Sequence, residues 1–196
     1  IHWCIQQTRS RIKGQIVNWI PHCVAKLSDP KVAEGGIENF AQAANKLAGR
    51  PHAKHLGAPW SNAYVHNTVE SICLALMVDP QGDADILAAQ AAMRQTLEDW
   101  IPKILAAQEP DGYLHSCYTL GGQRRWANKG DHEGYCAGYF IEAALAHWLL
   151  TDGKDDRLYR AAIRLADCWD QNLGPAPKKA WYDGHQALEQ ALVRLA

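Results

Sequence analysis

The run Asp131-His132-Glu133-Gly134-Tyr135-Cys136 crowds an acid, an imidazole, a second acid, a phenol and a thiol into adjacent positions. It stands just before residues 138–150, whose spacing predicts an amphipathic helix. A helix start offers free backbone N–H groups, so polar side chains there can line a cleft while the helix body packs. A second cluster, Asp183-Gly184-His185-Gln186, repeats the plan before another apolar run. Both histidines are expected in the first turn of a helix, and together they predict one polar pocket at the same end of a helical array. His132 beside Glu133 reads as a substrate-contacting histidine with an acid that orients it or moves protons. It reads equally as a helix-start acid favoured by the macrodipole beside a histidine that caps or packs. At His185 the positive helix-end potential favours a neutral ring, which accepts one hydrogen bond and donates another, as sugar hydroxyls require. The alternative there is a satisfied structural histidine.

Other polar residues carry less. Asn62, His66 and Glu70 lie at steps of four and share one helix stripe. No third metal ligand can be assigned beside His66 and Glu70, so they read as an ordinary His–Glu pair. His132 and Cys136 have the same spacing and the same reading. Glu142 sits in the apolar run Phe140-Ile141-Glu142-Ala143-Ala144. It is either desolvated, with a raised pKa suited to an acid, or paired with a backbone donor or an arginine. No Gly-rich phosphate loop, Gly-x-Ser-x-Gly elbow or His-Glu-x-x-His helix occurs. Eight tryptophans against two phenylalanines is a balance often met where indoles stack on sugar rings. Trp100, Trp148 and Trp169 fall at helical spacing and read as core.

The elements that must position these groups are helical almost throughout. Apolar steps of three and four predict helices over 36–48, 62–78, 83–107, 138–150, 155–171 and 185–196, with Pro102 kinking or dividing the third. Asp183 and Gln186 are placed as a variant capping box for the last. No strand alternation appears. The longest irregular stretches, 50–61 and 108–130, have the length of functional or mobile loops. The class is all-α, an array of helical hairpins. Leu188, Ala191, Leu192 and Leu195 are still in register at Ala196 without a stop signal, which reads as a piece of a longer polypeptide; a fraying terminal helix is the alternative.

The 196 residues suffice for one domain with a sizeable core, and 20 basic against 21 acidic residues exclude the one-sided field of a nucleic-acid binder. No apolar run approaches the ~20 residues of a membrane span. Cys4, Cys23, Cys73, Cys117, Cys136 and Cys168 are scattered, with no zinc-finger or redox spacing, and Cys73 and Cys168 read as inert buried thiols. With no leader visible, a reducing compartment is the default: the cytoplasm, with the periplasm as alternative.

Taken in order, Ile37-Glu38-Asn39-Phe40, Gln108-Glu109-Pro110-Asp111-Gly112-Tyr113-Leu114, Arg125-Trp126, His132-Glu133-Gly134-Tyr135-Cys136-Ala137-Gly138 and Gly184-His185 through Leu192 resemble glycoside hydrolase family 127, the β-L-arabinofuranosidases and their relatives. The likeness runs from about Arg11 to Ala196. It implies an (α/α)6 barrel, of which residues 1–196 would be the N-terminal portion of the catalytic domain, and a retaining glycosidase acting on β-L-arabinofuranosides or a related unusual sugar. His132 and His185 match the family's sugar-binding histidines; Glu133, Asn39, Tyr113 and Trp126 match further recurrent positions and are carried as substrate-binding candidates. Many relatives have leucine at Gly134, and an Asp-Ser-Asp run where this chain has Asn62-Ala63-Tyr64. The family's cysteine nucleophile, its acid/base carboxylate and its zinc ligands lie downstream of the matched region. Zinc is therefore expected in the full-length protein and none within this chain, which supplies one wall of the pocket. The implied partners are a carbohydrate and, over the apolar helix faces, the missing C-terminal half or another protein copy. Two other readings stay open: a non-catalytic carbohydrate-binding or structural helical module, and another (α/α) toroid enzyme such as an epimerase or unsaturated-glucuronyl hydrolase.

Overall fold

The computed structural model describes the backbone of residues 2–196 and side chains from Thr8 onward; the Cys4 side chain lies outside the described residues. The organising element is a helix that is apolar on nearly every side, here called α7, Glu133–Leu150. Its residues from Phe140 to His147 are all buried. A helix apolar all round has no solvent face and must sit inside a layer of others. It packs against α4, Asn62–Leu76, against α9, Ala187–Leu195, and against α8, Arg157–Asn172. A Cβ at Gly138 would stand 2.4 Å from the Ala187 carbonyl carbon, so glycine is what lets the α9 backbone approach α7 this closely.

Around this layer lie α3, Ile37–Leu47, and α5, Ala84–Ala106, which pack on each other, with α5 also meeting α4 and α8. One continuous core joins them, with Phe40, Ile72, Trp100, Ile101, Ile141, Leu158 and Leu165 almost wholly removed from water. Asp83 starts α5 by accepting the Asp85 and Ile86 N–H groups, and the same carboxylate binds Lys13 Nζ at 2.8 Å. Pro102 lies inside α5 without dividing it. The lost backbone bond and ring clash cost ~3 kcal/mol. The buried side chains of Trp100, Ile101 and Ile104 flank the proline and each return ~1.5–3 kcal/mol, so packing wins.

Among the described residues the only strand-like feature is an isolated bridge between Leu173 and Lys179. The helices over 36–48, 62–78, 83–107 and 155–171 appear within a few residues of expectation. Other elements differ, among them α7, which starts at Glu133 rather than 138. The chain opens with α1, His2–Gly14, and α2, Ile20–Ser28, joined by a π-helical turn at Gln15–Trp19; the polar run Gln6 to Lys13 hides this helix from an apolar-period reading. A short helix, α6, Ser116–Gly121, lies inside the stretch expected to be irregular. The last helix begins at Ala187, so His185 precedes it rather than occupying its first turn, and Gln186 makes no capping bond. Trp100 and Trp169 are core, whereas Trp148, also expected there, is only half-buried and stacks 4.7 Å from Tyr159 outside the buried cluster. No described helix is long and apolar enough to cross a membrane.

Candidate functional site

His132 caps the N-terminus of α7 in a left-handed conformation, φ 56° and ψ 43°. That backbone costs a non-glycine residue ~1–2 kcal/mol and persists only where the surroundings hold it. The holder is Asp183, from the loop before α9. Its Oδ2 accepts the Gly134 N–H at 2.7 Å and the Tyr135 N–H at 3.2 Å, satisfying two of the donors left free at the helix start. Its Oδ1 accepts the His185 N–H at 3.2 Å and stands 3.5 Å from His132 Nδ1. Asp183 therefore caps α7 rather than its own helix, and draws the two histidines together. Their rings lie 4.8 Å apart. Trp60 meets His132 edge-on at 5.2 Å, and Tyr135 lies 5.1 Å from His185 and 4.6 Å from Tyr139. His185 is exposed and His132 partly so. The result is an open surface of two imidazoles, an indole and phenols, which offers apolar ring faces beside hydrogen-bonding edges.

The other candidates sit beneath this surface. Glu133 is buried: Oε2 accepts the Tyr113 hydroxyl and Oε1 the Trp126 N–H at 2.6 Å. Burial pushes its carboxyl up to about 7 against the pull of the Tyr113 and Trp126 donors. Tyr113 and Trp126 are themselves buried and meet edge to face at 5.9 Å. Arg125 lies over the Tyr113 ring at 3.9 Å and pairs with Glu109 and Asp111. Glu133, Tyr113 and Trp126 thus tie the stretch 108–130 to the start of α7. Asn39 does the same for 50–61: its amide bonds both the N–H and the carbonyl of Leu56, at 3.0 and 2.9 Å, and its Nδ2 lies 3.2 Å from His55 Nε2. These four residues come together with one another or with a loop backbone; only His132 and His185 come together at the surface.

His66 does not pair with Glu70. It is wholly buried between Phe40 and Phe140, at 5.3 and 5.1 Å, and burial lowers its pKa to about 3. His115, which caps α6 by accepting the Tyr118 N–H, is likewise lowered to about 3 by burial. Glu142 takes the arginine alternative: Oε2 pairs with Arg194. The Cys136 thiol is buried against the Trp60 carbonyl at 3.6 Å, and burial raises its pKa strongly. Burial likewise raises Cys73 to about 12 and Cys168 to about 11, so neither is a ready thiolate. Among the described residues no three His, Cys, Asp or Glu side chains stand close enough to hold a metal. The residues present do not fit a zinc site, and no step is assigned to one. Sequence reasoning did not single out Trp60, whose only signal was its place in the irregular stretch 50–61. It took Asp183 for a local cap, because a bond to a helix 49 residues upstream leaves no periodicity.

Residues 9–196 match the family model for the β-L-arabinofuranosidase GH127 catalytic domain. The non-reducing end β-L-arabinofuranosidase of Bifidobacterium longum subsp. longum is 30% identical over 178 residues, covering 87% of this chain and 24% of that protein. The crystal structure of a GH127 β-L-arabinofuranosidase from Geobacillus stearothermophilus T6 superposes with a TM-score of 0.76 at 27% identity, over 94% of this chain and 28% of that one. A second GH127 β-arabinofuranosidase structure gives 0.73 at 26% identity, over 95% of this chain and 28% of its own. The chain thus spans about a quarter of the length of these relatives. Its packed helices are part of an (α/α)6 barrel. With the sequence match and the helical arrangement in agreement, this chain belongs to the GH127 β-L-arabinofuranosidase catalytic-domain family.

Proposed function

We propose that the chain is the N-terminal portion of the catalytic barrel of a glycoside hydrolase that acts on β-L-arabinofuranosides, and that it forms one wall of the sugar pocket. The observation that carries this reading is the 4.8 Å approach of the His132 and His185 rings beside Trp60 and Tyr135. Two imidazoles can each exchange a hydrogen bond with neighbouring hydroxyls of one sugar ring, while the aromatic faces cover its C–H groups. Glu133, Tyr113, Trp126 and Asn39 act on the sugar indirectly, by holding the loops that frame this wall. The nucleophilic thiolate, the acid/base carboxylate and zinc are assigned to residues outside this chain. So is the cover over Leu74, Met77, Leu149 and Val193, apolar side chains that are more than two-fifths exposed here. The five described cysteines are free thiols, which supports work in a reducing compartment such as the cytoplasm.

The test uses the full-length protein and an aryl β-L-arabinofuranoside. Release of the aryl group by the unaltered protein, and a fall of ~100-fold or more in kcat/KM for His185→Ala, are expected. Unchanged kinetics in the variant would remove His185 from the site. Turnover only of unsaturated glucuronides, or epimerisation without hydrolysis, would replace the reading with another toroid chemistry.

A further inference from the structure

We infer that Asp183 is a positioning residue that sets which nitrogen of His132 faces the sugar, and that Gly134 is the gap that admits it. The inference rests on the reading of His132 and His185 as sugar ligands. The Asp183 side chain is 2% exposed and cannot itself reach a ligand from solvent. Both of its oxygens are engaged. Oδ2 faces two backbone donors of α7, and Oδ1 faces the His185 N–H and His132 Nδ1. A carboxylate accepts hydrogen bonds and does not donate them, so the His132 nitrogen beside it carries the hydrogen. In a neutral imidazole that leaves the lone pair on Nε2, which then accepts from a sugar hydroxyl. The 3.5 Å separation is long, as such contacts often are before a ligand tightens the site.

Room for this carboxylate is made by one residue. A Cβ at position 134 would lie 3.0 Å from both Cβ and Oδ2 of Asp183, and 3.3 Å from its Cγ. A leucine there would add a branched side chain where the carboxylate now sits. Gly134 and Asp183 therefore act as a pair. The pair makes His132 an acceptor at Nε2, selecting a sugar that presents a hydroxyl hydrogen to it.

Asp183→Asn separates this role from simple support. The two α7 N–H groups attract the amide oxygen, so the amide nitrogen must turn toward His132 and the bond from the His185 N–H is given up. Nδ1 then becomes the acceptor and the hydrogen moves to Nε2. Long-range 1H–15N correlation of the histidine-labelled full-length protein reads the tautomer directly. The expected result is Nδ1–H in the unaltered protein and Nε2–H in Asp183→Asn, with the helical circular dichroism preserved. In the full-length protein, kcat/KM on the aryl arabinofuranoside should fall about tenfold, ~1.4 kcal/mol. Gly134→Leu should give the same loss without reversing the tautomer cleanly, since it expels the carboxylate. The same His132 tautomer in the unaltered and Asp183→Asn chains overturns the inference and leaves the proposed function standing. Absence of arabinofuranoside hydrolysis by the unaltered full-length protein overturns the proposed function, and with it the sugar-facing role of the pair, even if the tautomer switches.

Discussion

Glu133→Gln should change how stability depends on pH more than it changes structure. The carboxylate accepts from the Tyr113 hydroxyl and the Trp126 N–H in a buried setting. Glutamine keeps an oxygen for Trp126 and turns its amide toward the Tyr113 oxygen, which can accept. What it removes is the charge. Glu133 titrates near 7 in the fold against an ordinary 4.5, so the folded state holds its proton more tightly than the unfolded chain. The sign follows: its contribution is fully present below pH 4.5 and is lost as pH rises through 7. Evaluated between pH 5 and pH 8, that loss is about 2.5 kcal/mol, at 1.36 kcal/mol per pKa unit. The variant has no such loss. The stability of the unaltered protein relative to Glu133→Gln should therefore fall by about 2.5 kcal/mol from pH 5 to pH 8. Urea unfolding of both proteins at both values measures this double difference, in which other titrating groups cancel. With a slope of ~2 kcal/mol per molar, the relative midpoint should move by about 1 M. An identical difference between the two proteins at pH 5 and pH 8 would refute the claim that the fold buries an ionisable Glu133 at a cost.

Acid should destabilise the protein through His66 and His115. Both titrate near 3 in the fold, so their contribution is intact above their ordinary 6.5 and is lost as pH falls below it. Each supplies up to ~1.4 kcal/mol of loss per pH unit; burial lowers His55 to about 4 as well, adding a third such slope, and Glu133 opposes with one down to pH 4.5, so these four groups leave a net loss of ~2.8 kcal/mol per unit in thermal or urea unfolding. A flat profile from pH 6.5 to 4.5 would contradict their burial as neutral rings. Gly138→Ala should destabilise by ~1–3 kcal/mol, because its Cβ meets backbone atoms of Ala187 and Leu188 at 2.4 to 2.7 Å that cannot rotate aside. A neutral melt for that variant would show that α7 and α9 can separate at little cost.

The helical class was legible because burial of one face writes itself as apolar steps, as at Val65, Val69, Ile72 and Leu76 in α4. It failed for α1, whose stripe is thin; and of the two effects expected of Pro102, division of the helix does not occur, since a local penalty does not register the packing that offsets it. The start of α7 was placed at Gly138 rather than Glu133 because its first turn is polar: Glu133 is buried by a loop rather than by an apolar partner face. At the site, the two histidines were visible as residue types beside helix starts, and the structure brings their rings together. The agent of that meeting was hidden. Asp183 acts across 49 residues on backbone donors, and Trp60 reaches His132 from a loop pinned by Asn39, so neither relation has a spacing to read.

The most direct test of the account is a crystal structure of the full-length protein soaked with L-arabinose or a non-hydrolysed arabinofuranoside. The account predicts one furanose ring beside Trp60, with a ring nitrogen of His132 and one of His185 each within ~3.2 Å of its hydroxyls. A sugar bound in the barrel with neither imidazole in reach would contradict it.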